Sequence, residues 1–133
     1  MRGIVHTVNI SLPRSWEPVV RSRCVALTTF KKDGTPVTTP MWTVAAGGRI
    51  LTTSDFDSWK LKRIARDPRV RLAPCTIRGR VTGEFVDGYA RVLSDVETHD
   101  AIAGKKRRYA IFRLMVRIRK PQVGIEITPE ETS

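Results

Sequence analysis

The chain has 133 residues, enough for one domain with a core of its own. Lys and Arg outnumber Asp and Glu by 24 to 13, and the formal net charge of +11 draws anions such as nucleic acid, acidic lipid headgroups or a phosphorylated small molecule. Ordinary apolar content argues against disorder, no apolar run approaches the ~20 residues that cross a bilayer, and two cysteines are too few for a disulfide scaffold.

Residues 1–14 show no period and read as an arm, without the apolar stretch of a secretory signal. A cytoplasmic, reducing setting is expected, with Cys24 and Cys75 as buried free thiols. Ser15 can cap a short helix, with Pro18 in its first turn. CVALTTF is a β-branched strand running into Asp33-Gly34, a hairpin turn signal. The return strand PVTTPMWTVAA alternates, with Val37, Thr39, Met41 and Thr43 on one face and Thr38, Trp42 and Val44 on the other. Pro40 removes a donor and marks an edge, bulge or kink. Gly47-Gly48 turns the chain into RILTTS.

The period then changes to 3.6. In DSWKLKRIARDP, Leu61, Ile64 and Ala65 form a helical stripe, with Asp57 or Ser58 as N-cap and Asp67-Pro68 as the stop. RVRLAPC alternates again, and EFVDGYARVL is a strand bent at Gly88. SDVETHDAIAG reads as a helix capped by Ser94 or Asp95. KKRRYAIFRLMVRIRK fits strand and helix alike, with helix preferred, and QVGIEIT is a last strand. Short antiparallel strands in so small a chain escape exposed edges by closing into a barrel, with one helix plugging the rim. The expected architecture is mainly β, a six-stranded antiparallel split barrel over 23–128. An arm and short helix precede it over 1–22, and a tail follows over 129–133.

LTTSDFDSWKLKR holds the densest candidate chemistry. Lys60 and Arg63, three apart, share a face in the first turns of the helix, where free amides and the macrodipole favour anions. Hydroxyls of Thr52, Thr53, Ser54 and Ser58 stand nearby, a composition suited to phosphate. The same residues also read as a solvated basic face, with Asp55 and Asp57 competing against a bound anion. His6 and His99 have no partner at metal-ligand spacing, and no nucleophile elbow, dinucleotide fingerprint or P-loop is present. Trp42 and Trp59 are core filler or a flat wall for a ring, and Tyr109 is a surface residue or a hydroxyl donor.

The order VALTTFKKDGTPVTTPMW, GRILTTSDFDSWKLKRIARDPRVRLAPC, GRVTGEFVDGYARVL resembles the pyridoxamine-phosphate-oxidase-like flavin-binding split barrels, and among them the branch that uses the deazaflavin coenzyme F420. The resemblance is close over 24–93 and implies a homodimer with cofactor sites between subunits. It implies that Lys60 is the phosphate-binding lysine, with Ser58 and Arg63 beside it. It also implies that Pro40, Met41 and Trp42 lie along the ring, that Thr52, Thr53 and Ser54 approach the phosphate, and that Ala73, Pro74 and Cys75 lie near the dimer groove. The function implied is an F420-dependent oxidoreductase transferring a hydride to or from a small organic substrate, the cofactor carrying the chemistry, with no catalytic side chain and no metal site. Alternatives on the same fold are an FMN-dependent oxidoreductase and a non-catalytic F420- or flavin-binding protein. Trp59 stands where relatives often have a small residue. Aromatics interleaved with the cationic clusters are few, so no specific nucleic-acid partner and no membrane span are expected.

Overall fold

The computed structural model describes residues 12–94, 96–98 and 122–129. The expectations for the first residues of the arm, for His6, His99 and Tyr109, and for the 105–120 segment lie outside them. Seven strands form one sheet: β1 Cys24–Phe30, β2 Pro36–Trp42, β3 Val44–Ala46, β4 Arg49–Asp55, β5 Arg69–Cys75, β6 Val86–Val92 and β7 Gln122–Pro129. Every pairing is antiparallel, in the order β2-β1-β5-β6-β7-β4-β3.

The sheet has seven strands where six were expected, because PVTTPMWTVAA changes partners at Thr43. Its first part pairs with β1 and its last three residues with β4. β2 and β3 are therefore the two ends of the sheet order, yet they are joined in the chain through Thr43. The sheet curls until its edges meet at that corner. Thr52 Oγ1 donates to the Trp42 carbonyl at 2.6 Å, and the Thr43 amide to the Arg23 carbonyl at 3.4 Å, which ties the corner together. The break is invisible in the sequence because alternation runs through it: Met41 and Thr43 are both buried. Pro40 sits on the edge strand β2, where its missing amide breaks no ladder.

Inside the curl, Val25 and Leu27, Ile50, Val70 and Leu72, and Ile125 and Ile127 form one core. Each fully buried Leu or Ile contributes roughly 1.5–3 kcal/mol. Two helices complete it, α1 (Glu17–Arg21), preceded by a 3-10 turn over Arg14–Trp16, and α2 (Trp59–Arg66). Ser15 lies inside the 3-10 turn and no side chain caps α1, while Pro18 stands in the first turn as expected. Trp16 and Val19 are buried in the same core as the strands. From α2, Ile64 and Leu61 pack inward and close one end of the barrel. Ala65, expected on that stripe, is exposed, since the core-facing arc of this short helix is narrow. No helix among the described residues is long and apolar enough to cross a membrane.

Gly88 is determined by close approach. A Cβ there would lie 2.6 Å from the Thr128 carbonyl oxygen and 2.9 Å from Trp16 Cη2. Gly88→Ala should therefore cost about 1–3 kcal/mol by overpacking, seen as a lower urea midpoint with an unchanged m-value; an unshifted midpoint would show that β7 yields freely.

Ser94 is the cap of the turn that follows β6. The Glu97 amide meets Ser94 Oγ at 3.3 Å and the Ser94 amide donates to Glu97 Oε1 at 3.1 Å, a reciprocal capping box. Glu97 also pairs with Arg91, which bridges to Glu126, and Glu126 pairs in turn with Arg49. Bonds from Arg91, then from Ser94, hold the Glu97 carboxyl down to about 2. Glu126 is raised by burial, but Arg49 and Arg91 outweigh this and lower it. Both folded values lie below the unfolded value near 4.5. The stability they contribute is therefore present above pH ~4.5 and lost as pH falls through the folded values. Thermal melts of wild type and Glu126→Gln should differ at pH 6 and converge towards pH 2. A constant gap across that window would contradict the network.

Candidate anion-binding site

The junction of β4 and α2 is built from residues the sequence singled out. Ser54 Oγ donates to Ser58 Oγ at 2.9 Å. Ser58 occupies the N-cap position of α2 with extended backbone, yet its side chain caps no amide, and the first turn contains no acid. The expectation that Asp57 or Ser58 supplies a side-chain cap is thus corrected: Ser58 has the position, but Ser54 engages its hydroxyl. The Ser58 side chain therefore does not occupy the first amides of α2, which stand at the positive end of the helix.

Lys60, in that first turn, is half-buried, and no described carboxylate forms an ion pair with it. Burial, then the charge of Arg63, pull its ammonium below the ordinary lysine range, against a smaller opposing effect of Asp55. Arg63 is fixed by donating from Nε to Thr29 Oγ1 at 2.7 Å. Thr29 was not a candidate in the sequence, because inside CVALTTF it reads only as a strand residue. Asp55, expected to compete with an anion, accepts from Gln122 Nε2 at 2.6 Å across the β4–β7 pair.

The remaining candidates fall into rows across β2, β1 and β5. Pro40 stands level with Ala26 and Ala73, Met41 with Val25 and Pro74, and Trp42 with Cys24 and Cys75. The two triplets expected at the cofactor ring and dimer groove therefore flank β1 at the same height. Their side chains do not share one face. Met41 joins the main core, whereas Trp42 covers Cys24, Ala26 and Cys75 on the opposite side. A flat group cannot lie on the Met41 and Trp42 side chains together, because neighbours on a strand point oppositely. β4 divides likewise: Thr52 is level with Ile125 of the core and Thr53 with Gly124, so their hydroxyls point apart. Thr52 is fully buried and its donor is spent on Trp42. Cys24 and Cys75 are buried free thiols facing each other, and burial, then Cys24, push the Cys75 thiol up to about 12, an unreactive state.

Trp59 does not crowd this site. It is 69% exposed, with Lys62 Nζ 4.4 Å over its ring. Among the described residues no group of three or more His, Cys, Asp and Glu side chains could hold a metal.

The model of the pyridoxamine 5'-phosphate oxidase family matches residues 16–133. The chain belongs to this family. Its match begins at Trp16, the first buried residue of the core among the described residues. Solved structures agree on the split-barrel fold. A conserved hypothetical protein of Mycobacterium tuberculosis is 23% identical with a TM-score of 0.67, over 92% of this chain and 83% of that one. An FAD-binding protein of Mesorhizobium loti is 17% identical with a TM-score of 0.62, over 88% and 86%. A structure described as an F420 reductase is 18% identical with a TM-score of 0.58, over 91% and 98%. A comparison with curated proteins gives no match. At these identities the likeness is one of fold.

Proposed function

We propose that this member of the family is an F420-dependent oxidoreductase acting on a small organic molecule. The observation that carries the reading is the half-buried Lys60, without an ion pair among the described residues, beside Arg63 at the start of α2, where the Ser58 side chain makes no cap bond. An ammonium disfavoured by burial and by a neighbouring guanidinium is relieved by an anion between the two. The residues fit a phosphate: Lys60 and Arg63 supply charge, Ser58 and Ser54 hydroxyls, and the first turn of α2 its amides. The cofactor would supply hydride chemistry, and the chain binds and orients it. Thr29 holds Arg63 in place, and the Thr52–Trp42 bond fixes the strand corner beside the row Pro40–Trp42.

The F420 reductase among similar structures supports the deazaflavin; the FAD-binding one is the reason to keep a flavin as the second reading. The proposal includes a cytoplasmic homodimer with the cofactor between subunits, to which Ala73, Pro74 and Cys75 are adjacent through the resemblance. Fluorescence titration of the apoprotein with F420 and with FMN at moderate salt is the test. Micromolar F420 binding with weak FMN binding is expected. The reverse preference moves the protein to the flavin branch, and binding of neither removes the cofactor reading.

A further inference from the structure

A second cationic surface lies beside the first. A groove of about 580 Å³ is lined by Lys31, Lys32, Trp59, Lys62, Arg63 and Arg66. Five of these six are cations and none is acidic. Its two walls are the turn after β1 and the outer side of α2. Arg66 clamps them by donating from Nη2 to the Phe30 carbonyl at 2.6 Å, and Arg63 by its bond to Thr29. The arginines engaged in ion pairs, Arg21, Arg49, Arg69, Arg71 and Arg91, all lie outside the groove. Among the described residues no groove cation pairs with a carboxylate. Asp33 acts on Lys31 and Asp67 on Arg66 from outside the groove, but no carboxylate lines it. Like charges so gathered repel one another, and the arrangement is relieved by a ligand with several negative charges.

Charge alone would admit any polyanion. Trp59 narrows the choice. An indole 69% exposed offers a flat apolar face to a stacking partner, and Lys62 occupies only one of its faces. We infer that the groove binds an unpaired nucleic-acid strand, with a base stacked on Trp59 and the flanking phosphates held by Lys31, Lys32, Lys62 and Arg66. A stacking aromatic within a basic trough is the physical requirement for single-strand binding without sequence preference. A duplex cannot meet it, since its bases are stacked on each other. Sequence reading found too few aromatics among the cations; the fold supplies the one needed by bringing Lys31 and Lys32 to α2. Arg63 belongs to both sites, so strand and cofactor would compete there, while Trp59 serves only the groove and Lys60 only the phosphate site.

The test is fluorescence anisotropy with a short labelled oligothymidylate, its abasic counterpart of equal length, and a polyglutamate chain, at several salt concentrations. The oligothymidylate should bind wild type about tenfold more tightly than the abasic strand. Its log affinity should fall with log salt by about 0.7 per phosphate contact. Trp59→Ala should abolish the difference between the two strands, Trp59→Phe should restore most of it, and Lys31→Ala with Lys32→Ala should flatten the salt dependence. Equal binding of abasic strand and oligothymidylate by wild type overturns the proposal, with no variant needed. So does polyglutamate binding as tight as the oligothymidylate, or no binding at low salt. F420 titration of the same preparation reports the cofactor reading separately.

Discussion

Lys60→Ala should raise the dissociation constant for F420 by about 10- to 100-fold, the range given by losing one charged hydrogen bond of roughly 1.5–3 kcal/mol. The argument rests on position and on environment. Lys60 is in the first turn of α2, half-buried, close enough to Arg63 to be weakened by it, and without an ion pair among the described residues. The fold therefore gains nothing from the charge when no anion is present. The apoprotein of the variant should melt no lower than wild type, because removing the ammonium relieves burial and repulsion together. Affinity in the wild type should also fall as pH rises through the lowered pKa of Lys60, at a lower pH than for an ordinary lysine, since only the protonated form attracts phosphate. Unchanged F420 affinity in the variant would remove Lys60 from the site. A large drop in apoprotein stability would mean that the lysine is structural.

Trp16→Ala should destabilise the protein by about 3–5 kcal/mol, the usual cost of truncating a buried aromatic. For a chain of this size that is a fall in Tm on the order of 10 °C or more. Trp16 is 3% exposed although it precedes the first strand by several residues. Its ring lies over Gly88, where even a Cβ would be 2.9 Å away, so ring and glycine fit as a pair across the core. Val19, one turn on, is buried beside it. The short helix thus acts as part of the barrel, and its loss should leave a cavity under β6. Calorimetry or a urea melt reads the effect. A shift within a degree or two of wild type would show that the segment is dispensable.

Much of this was legible in the sequence because the signals are local. The β1 run CVALTTF, the turn at Asp33-Gly34, the alternation of RVRLAPC and the 3.6 period of WKLKRIAR each depend on neighbours a few residues apart. The structure has a strand over Cys24–Phe30, a positive φ at Gly34, a strand over Arg69–Cys75 and a helix over Trp59–Arg66. Lys60 and Arg63 were likewise found on one face of a helix because helical geometry alone puts i and i+3 together.

Other features depend on groups far apart in the chain. At Thr43 one alternating run becomes two strands because the residues before it pair with β1 and those after it with β4, near opposite ends of the sheet order. Thr29 holds Arg63 from 34 residues away, and Gln122 engages Asp55 from 67 residues away. Thr52 and Thr53 look equivalent as text, yet the pleat sends one hydroxyl towards the core side and the other to the opposite face. By itself the sequence determined most of the strands, the helix over Trp59–Arg66 and the cationic pair at its start, since propensity and periodicity act within a few residues. Only the tertiary structure decided which hydroxyls remain near that pair, that Trp59 turns outward, and that Lys31 and Lys32 meet α2. Those outcomes follow from sheet closure and strand register, which are set by contacts across the whole chain.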